Sequence, residues 1–210
     1  PTTVHSHEAT FETMFGVQKR ATHRNTAWER ARFEAGAHRF VDLSEPGYGV
    51  ALLNDAKYGH NAIDGTLGIS LVRGPLHPDP LADEGEHRFT YSLYPHVGNW
   101  VEGGVTREAR ALNAPLVATA APQGAEDRPA AITSTGHEVG LGALKRAHDV
   151  DGMVLRVYEP HGSRGRAELT FADGPANVSR VTILEEPAEG SAIDVDGDTV
   201  SFEIGPFEVV

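Results

Sequence analysis

Apolar and polar residues alternate at every second position along most of this chain, and that alternation constrains the fold more than any other feature. Side chains on a strand point to opposite faces in turn, so a period of two predicts a sheet with one face buried. In ATFETMFGV, Ala9, Phe11, Thr13, Phe15 and Val17 fall on one face, with Glu12 and Gln18 on the other. This reads as one half-buried strand. YGVALLND is a short apolar run closed by the turn pair Asn54-Asp55, TLGISLVRG sets Leu67, Ile69, Leu71 and Arg73 on one face, and HRFTYSLYP groups Phe89, Tyr91 and Leu93. One segment departs from the pattern. NWVEGGVTREARALNAP places Val101, Val105 and Leu112 at helical spacing with Pro115 just beyond, which predicts a helix whose start Gly103-Gly104 weakens.

From Ala118 the texture changes. ATAAPQGAEDRPA has no large apolar residue and reads as a linker or surface loop. Short strands follow in GMVLRVYEP, RAELTF, VSRVTILEE and AIDVDGDTVSFEIGPFEVV, the last folded at Asp196-Gly197, where glycine accepts a positive φ. The expectation is an all-β chain in two parts: residues 1–120 as one β domain, and 121–210 as a linker with a small C-terminal sandwich. There is no internal repeat. The chain opens on the approach to a strand and stops inside PFEVV, so it is expected to be a piece of a longer protein.

Composition narrows the chemistry. With 210 residues there is ample chain to bury a core. A net charge of −12 and no Lys/Arg cluster argue against nucleic acid and against an anionic membrane surface. No cysteine is present, which removes disulfides, thiolate zinc sites and Cys nucleophiles. PTTVHSHEAT lacks the charged start and apolar run of an export signal, and no stretch has the apolar length of a membrane span, so a cytoplasmic location is expected.

Several groupings invite a chemical reading. His5, His7 and Glu8 have the look of a metal site, but no spacing supplies a third ligand from elsewhere. DVDGD (194–198) begins like a calcium loop and then fails, because Gly197 is fourth and the twelfth position is Gly205. In NDAKYGHNAIDG, Lys57, His60, Asn61 and Asp64 suit a sugar pocket, although composition alone favours a polar inter-strand loop. Arg73 continues the parity of Leu67, Ile69 and Leu71, so it should point to their buried side and need a carboxylate or a ligand there. In HPDPLADEGEHRFTYSLYPH, Asp83, Glu84, Glu86 and His87 offer acid/base pairs in principle, yet Glu86 and His87, as neighbours on a strand, would face opposite ways.

The ordered series THRNTAWERARFE, FVDLSEPGYGVALLNDAKYG, ISLVRGPLHPDP and DEGEHRFTYSLYPH resembles the C-terminal half of glycoside hydrolase family 38, the α-mannosidases. VLRVYEPHGSRGRAEL and the closing PFEVV are similar to the last small β domain of the same enzymes. The resemblance implies a portion of a galactose-mutarotase-like β super-sandwich followed by a small immunoglobulin-like sandwich. It also implies that the sugar-cleaving machinery lies in a preceding α/β domain. There a zinc is held by two His and two Asp, one Asp being the nucleophile of a retaining hydrolysis of terminal α-mannosides. No catalytic or metal-ligating residue is therefore expected within this chain, and no cofactor of its own. The implied substrate-binding residue is Arg73, with His60, Asn61 and Asp64 as neighbours of the site. HPDPLADEGEHRF becomes a loop that positions Arg73 and seals a domain interface. Expected partners are the chain's own N-terminal catalytic domain, mannose-containing glycans and, through an orphaned docking face, a second copy as a homo-oligomer.

Two rival functions belong to other classes. An autonomous carbohydrate-binding module would stack sugars on Trp28, Tyr48, Tyr58 or Trp100, although their scatter fits packing in cores better. A self-sufficient mutarotase or epimerase would need Glu86 and His87 in one cavity.

Overall fold

The chain begins with a hairpin where its alternation predicts a single strand. In the computed structural model, which describes residues 1–120, 130–190 and 192–210, strand β1 (Glu8–Thr13) reverses at Met14-Phe15 into β2 (Gly16–Ala21). Phe15 takes φ 58° to make the reversal. Thr13 pairs with Gly16 and Phe11 with Gln18, so parity flips across the turn. Gln18 lands on the face of Phe11, and Val17 packs on the opposite side with Phe40. A two-residue turn embedded in an alternating run carries no periodic signature, which is why the sequence reads straight through it.

The chain divides into two compact units, Pro1–Val117 and Ala118–Val210. In the first, a short helix α1 (Ala27–Ala31) follows β2, held by a capping box in which Thr26 and Glu29 satisfy each other's backbone N–H groups. Then come β3 (Ala35–Gly36), β4 (Phe40–Glu45), β5 (Tyr48–Asn54), β6 (Gly59–Ile63), β7 (Thr66–Ile69), β8 (Tyr91–His96) and helix α2 (Val105–Asn113). One antiparallel sheet has the order β2-β1-β4-β5-β8, and a smaller one has the order β3-β6-β7.

The five-stranded sheet is covered on both faces. Phe11, Val41, Leu43 and Val50 join Ala62 of the smaller sheet in one core, while Phe40, Ala51 and Leu53 pack against Trp100, Val105 and Ala109 on the other side. This is why FVDL and GVALLN are buried without interruption instead of alternating. The same double cover buries Glu12, expected on an open face; its carboxylate is paired with Arg39, whose Nε lies 3.0 Å away. Helix α2 starts later than its apolar spacing implies, because Gly104, at φ 64°, stands as its N-cap.

Three further expectations fail in this unit. β7 ends at Ile69, so Arg73 lies beyond the strand and does not continue its parity. NDAKYGHNAIDG is only partly a loop, since β6 runs through its second half. On the edge strand β8, Tyr91 (56 % exposed) and Leu93 (67 %) share a face as the alternation expects, but that apolar face is the exposed one.

The second unit contains β9 (Ile132–Gly136), β10 (Gly140–Arg146), β11 (Met153–Tyr158), β12 (Gly165–Phe171), β13 (Ile193–Asp196) and β14 (Thr199–Ile204). A four-stranded sheet β13-β14-β12-β9 and the hairpin β10-β11 enclose Val157, Ala167, Leu169, Val200, Phe202 and Ile204. Asp196 pairs with Thr199 across the expected tight turn, with Gly197 at φ 56°. VSRVTILEE is not a strand. It reverses within itself, Thr182 donating its N–H to the Glu186 carbonyl at 2.8 Å, with Glu185 at φ 66°. The expected linker falls mostly on residues 121–129, which lie outside the described residues. The chain is thus all-β apart from two helices among the described residues, and none of those helices is long and apolar enough to cross a membrane.

At the end of β11 the buried Glu159 carboxylate gathers the backbone N–H groups of His161 (3.0 Å), Gly162 (2.6 Å), Ser163 (3.0 Å) and Phe207 (3.1 Å), with the Ser163 hydroxyl at 3.0 Å. Burial alone would raise its pKa, but these donors stabilise the anion and hold it below the ordinary value. The EPHGS motif is therefore a knot that ties a loop to the C-terminal segment.

Candidate functional site

Arg73 sits just after β7, where the chain leaves the small sheet. Ser70 still donates its N–H to the Gly59 carbonyl at 2.8 Å, and beyond it regular pairing stops. The loop that follows is fastened at both ends by carboxylates. Asp83 accepts the N–H groups of Arg73 (3.0 Å) and Gly74 (2.7 Å), and these two donors hold its pKa below the usual range. At the far end Asp55 accepts the Thr90 N–H at 2.8 Å, which lowers its pKa in the same way. Lys57 lies 4.9 Å from the centre of the Phe89 ring. Asp83 thus ties the loop back to the backbone at Arg73 and Gly74.

The Arg73 side chain is not buried. It is 68 % exposed, because it projects from a loop and not from the sheet, and its Nη1 is 3.0 Å from Oε2 of Glu34. Glu34 is itself only 12 % exposed and also accepts the Ser70 hydroxyl. A guanidinium offers five N–H donors in a planar fork, so most of that fork is left facing outward.

The other three expected site residues are not gathered around it. His60 is fully buried: its Nδ1–H donates to the Tyr58 carbonyl at 3.1 Å, and its Nε2 accepts from the Asn54 amide at 3.2 Å. Asn54 fills its remaining capacity with the His38 carbonyl and the N–H groups of Ala56 and Lys57. Burial pushes the His60 pKa down, so the ring is held neutral as a strut between the two sheets. The Glu34 carboxylate opposes that shift but does not overcome it. Asn61 alternates with His60 along β6 and crosses over Gly68, and both residues line a groove with Arg20, His23, Arg24 and Arg32 that does not include Arg73. Asp64 is the turn residue of the β6–β7 hairpin at φ 48°, exposed at the end remote from Arg73.

Glu86 and His87 do not form an acid/base pair. Glu86 binds Arg88 at 2.7 Å, and His87 Nε2 lies 2.9 Å from the Asp83 carbonyl. Among the aromatics, Trp100 is buried, but Trp28 is 77 % and Tyr58 65 % exposed, against the expectation of core packing. Among the described residues no three His, Asp or Glu side chains are grouped to hold a metal ion. Sequence reasoning missed Glu34, and it singled out Asp83 as an acid/base candidate, not as a backbone anchor. Their contacts to Arg73 join residues 39 and 10 positions apart with no shared period. The only local hint was a carboxylate among turn formers at Asp83.

Comparison with known proteins agrees with the ordered motifs. Residues 1–81 match the model described as the glycosyl hydrolases family 38 C-terminal domain, and residues 138–210 match its C-terminal beta sandwich domain. Alpha-mannosidase 2C1 of Homo sapiens is 39 % identical over 214 residues, covering 100 % of this chain and 21 % of that protein. An alpha-mannosidase of Saccharomyces cerevisiae is 32 % identical over 200 residues, covering 88 % of this chain and 18 % of the relative. The chain therefore spans about a fifth of the length of the curated relatives it matches. The crystal structure of an alpha-mannosidase from Enterococcus faecalis superposes with a TM-score of 0.78 at 22 % identity, over 97 % of this chain and 24 % of the other, which establishes a shared fold.

Proposed function

Because the chain belongs to glycosyl hydrolases family 38 as its C-terminal β region, we propose that it completes the sugar pocket of an α-mannosidase and docks against that enzyme's catalytic domain. The parent hydrolyses terminal α-mannosides through carboxylates, and binds zinc, outside these residues. This chain contributes binding and shape. One observation carries the reading: a guanidinium fixed at its backbone by Asp83 and at its tip by Glu34 still presents most of its donors outward. Rigid, directed donors of this kind suit sugar hydroxyls, because little ordering entropy is lost on binding.

The reading is tested in two steps. The chain alone, incubated with an aryl α-mannoside and zinc, gives no turnover above blank; turnover would overturn it. In the full-length parent, Arg73→Gln raises KM for the same substrate with little change in kcat, and an unchanged KM would remove the sugar contact.

The exposure of Trp28 and Tyr58 favours a second reading, an autonomous carbohydrate-binding module that stacks sugar rings on these faces. Calorimetric titration of the chain with mannose and mannobiose separates the two, since millimolar or tighter binding supports the module.

A further inference from the structure

Glu34 is the group that decides what Arg73 can hold. This inference rests on the reading of Arg73 as a sugar contact and goes beyond it to ligand selectivity. The Glu34 carboxylate is nearly buried, with Oε2 3.0 Å from Arg73 Nη1 and Oε1 accepting the Ser70 hydroxyl. Its back is closed by Gly59: a Cβ there would collide with Oε1 and stand 3.0 Å from the Ser70 Cβ. The carboxylate thus lies against the Gly59 backbone with a hydroxyl partner on one oxygen and an arginine on the other. It holds the guanidinium through one nitrogen and offsets its charge.

We infer that Glu34 positions Arg73 and, by neutralising it, restricts the site to neutral polyhydroxyl ligands over acidic sugars. A free guanidinium attracts carboxylate or phosphate groups strongly, through charge and bidentate geometry together. With a carboxylate fixed beside it, an arriving anion meets a pair of zero net charge and the repulsion of Glu34 at short range. A hydroxyl loses nothing by this, because it needs only a directed N–H. A second carboxylate, Asp83, binds the Arg73 backbone N–H and adds negative charge to the loop.

The test uses the full-length parent enzyme with an aryl α-mannoside as substrate and mannose and mannuronate as competing ligands. Glu34→Gln keeps the shape and removes the charge. It is expected to raise KM about tenfold with kcat nearly unchanged, and to strengthen inhibition by mannuronate relative to mannose by about tenfold. Glu34→Asp keeps the charge and shortens the reach, so it raises KM without that gain. Arg73→Gln raises KM and shows no gain either. If Arg73→Gln leaves KM unchanged, the sugar contact itself fails. If Arg73→Gln raises KM but Glu34→Gln leaves the mannuronate-to-mannose ratio where it was, the selectivity role of Glu34 alone is overturned. Should Glu34→Gln not accumulate as folded protein, Ser70→Ala frees the carboxylate by deleting one hydroxyl; it must then raise KM several-fold, and an unchanged KM overturns the positioning role.

Discussion

Asp42 and His96 meet inside the five-stranded sheet, Oδ2 to Nε2 at 2.7 Å, with neither side chain more than 2 % exposed. They come from β4 and β8, which never pair; β5 lies between them and supplies Gly49, which leaves the space the imidazole crosses. Ser44 donates its hydroxyl to the other carboxylate oxygen. Burial drives the Asp42 pKa up, while Ser44 and His96 pull it back. The pair is a polar bolt through one face of the core, and it fixes the register of three strands.

Removing one end of this bolt strands the other. His96→Ala leaves the Asp42 carboxylate buried with a single hydroxyl partner, and the expected loss is about 3–5 kcal/mol in the first unit. Gly49→Ala drives a methyl group into the ring and acts in the same direction. Urea unfolding of the variants measures both, and a loss under about 1 kcal/mol for His96→Ala would show that the pair carries no weight.

Acid acts on the first unit through His60. Its folded pKa lies below the ordinary 6.5, so the unfolded chain takes up a proton first as pH falls. The stability contributed by the neutral ring is complete above 6.5 and is lost progressively below it, until the folded ring protonates as well. Asp42, with a raised pKa, favours the folded state on acidification and so works the other way. Comparing wild type with His60→Gln at each pH cancels that opposing contribution. The difference in unfolding free energy between the two should shrink as pH drops from 7 to 5, and a difference independent of pH would refute the assignment.

In the second unit the acid-sensitive group is Glu159. Its folded pKa is depressed, so its contribution is present above the ordinary 4.5 and disappears as pH falls through the folded value. Glu159→Gln removes the charge from a carboxylate with four backbone N–H partners and should cost roughly 3 kcal/mol or more at neutral pH. Faster amide exchange at His161, Gly162, Ser163 and Phe207 is the local sign of that loss. Unchanged protection there would mean that the loop holds without it.

Asp83 should matter for order more than for stability. Asp83→Ala releases the Arg73 and Gly74 amides, and their hydrogen exchange is expected to quicken by about tenfold or more, with the melting temperature almost unmoved. In the full-length enzyme the same change raises KM if a fixed Arg73 backbone is needed for binding. Protection that survives the substitution would show that the loop is held by other contacts.

The β character of the chain was legible because alternation survives wherever one face of a sheet is wet. It was lost where both faces are dry, as in GVALLN, and where a turn hides inside the alternation, as at Met14-Phe15. The tight turn at Gly197 was readable from local chemistry alone. Arg73 was misplaced because parity was extended past the true end of β7, and its partner Glu34 precedes it by 39 positions. His60 carried the chemistry of a ligand but the burial of a strut, and only packing distinguishes those two. The ordered motifs carried the family because they record packing, turns and anchors together, which no single period does.

Pro95 lies within β8, the last strand of its sheet, opposite Val50. It has no N–H to offer a newcomer, so a strand laid along that outer margin would find a break in the ladder beside the bare Tyr91 and Leu93 side chains. The apolar rim can therefore be covered by a neighbouring surface without serving as a template for unlimited strand-by-strand growth.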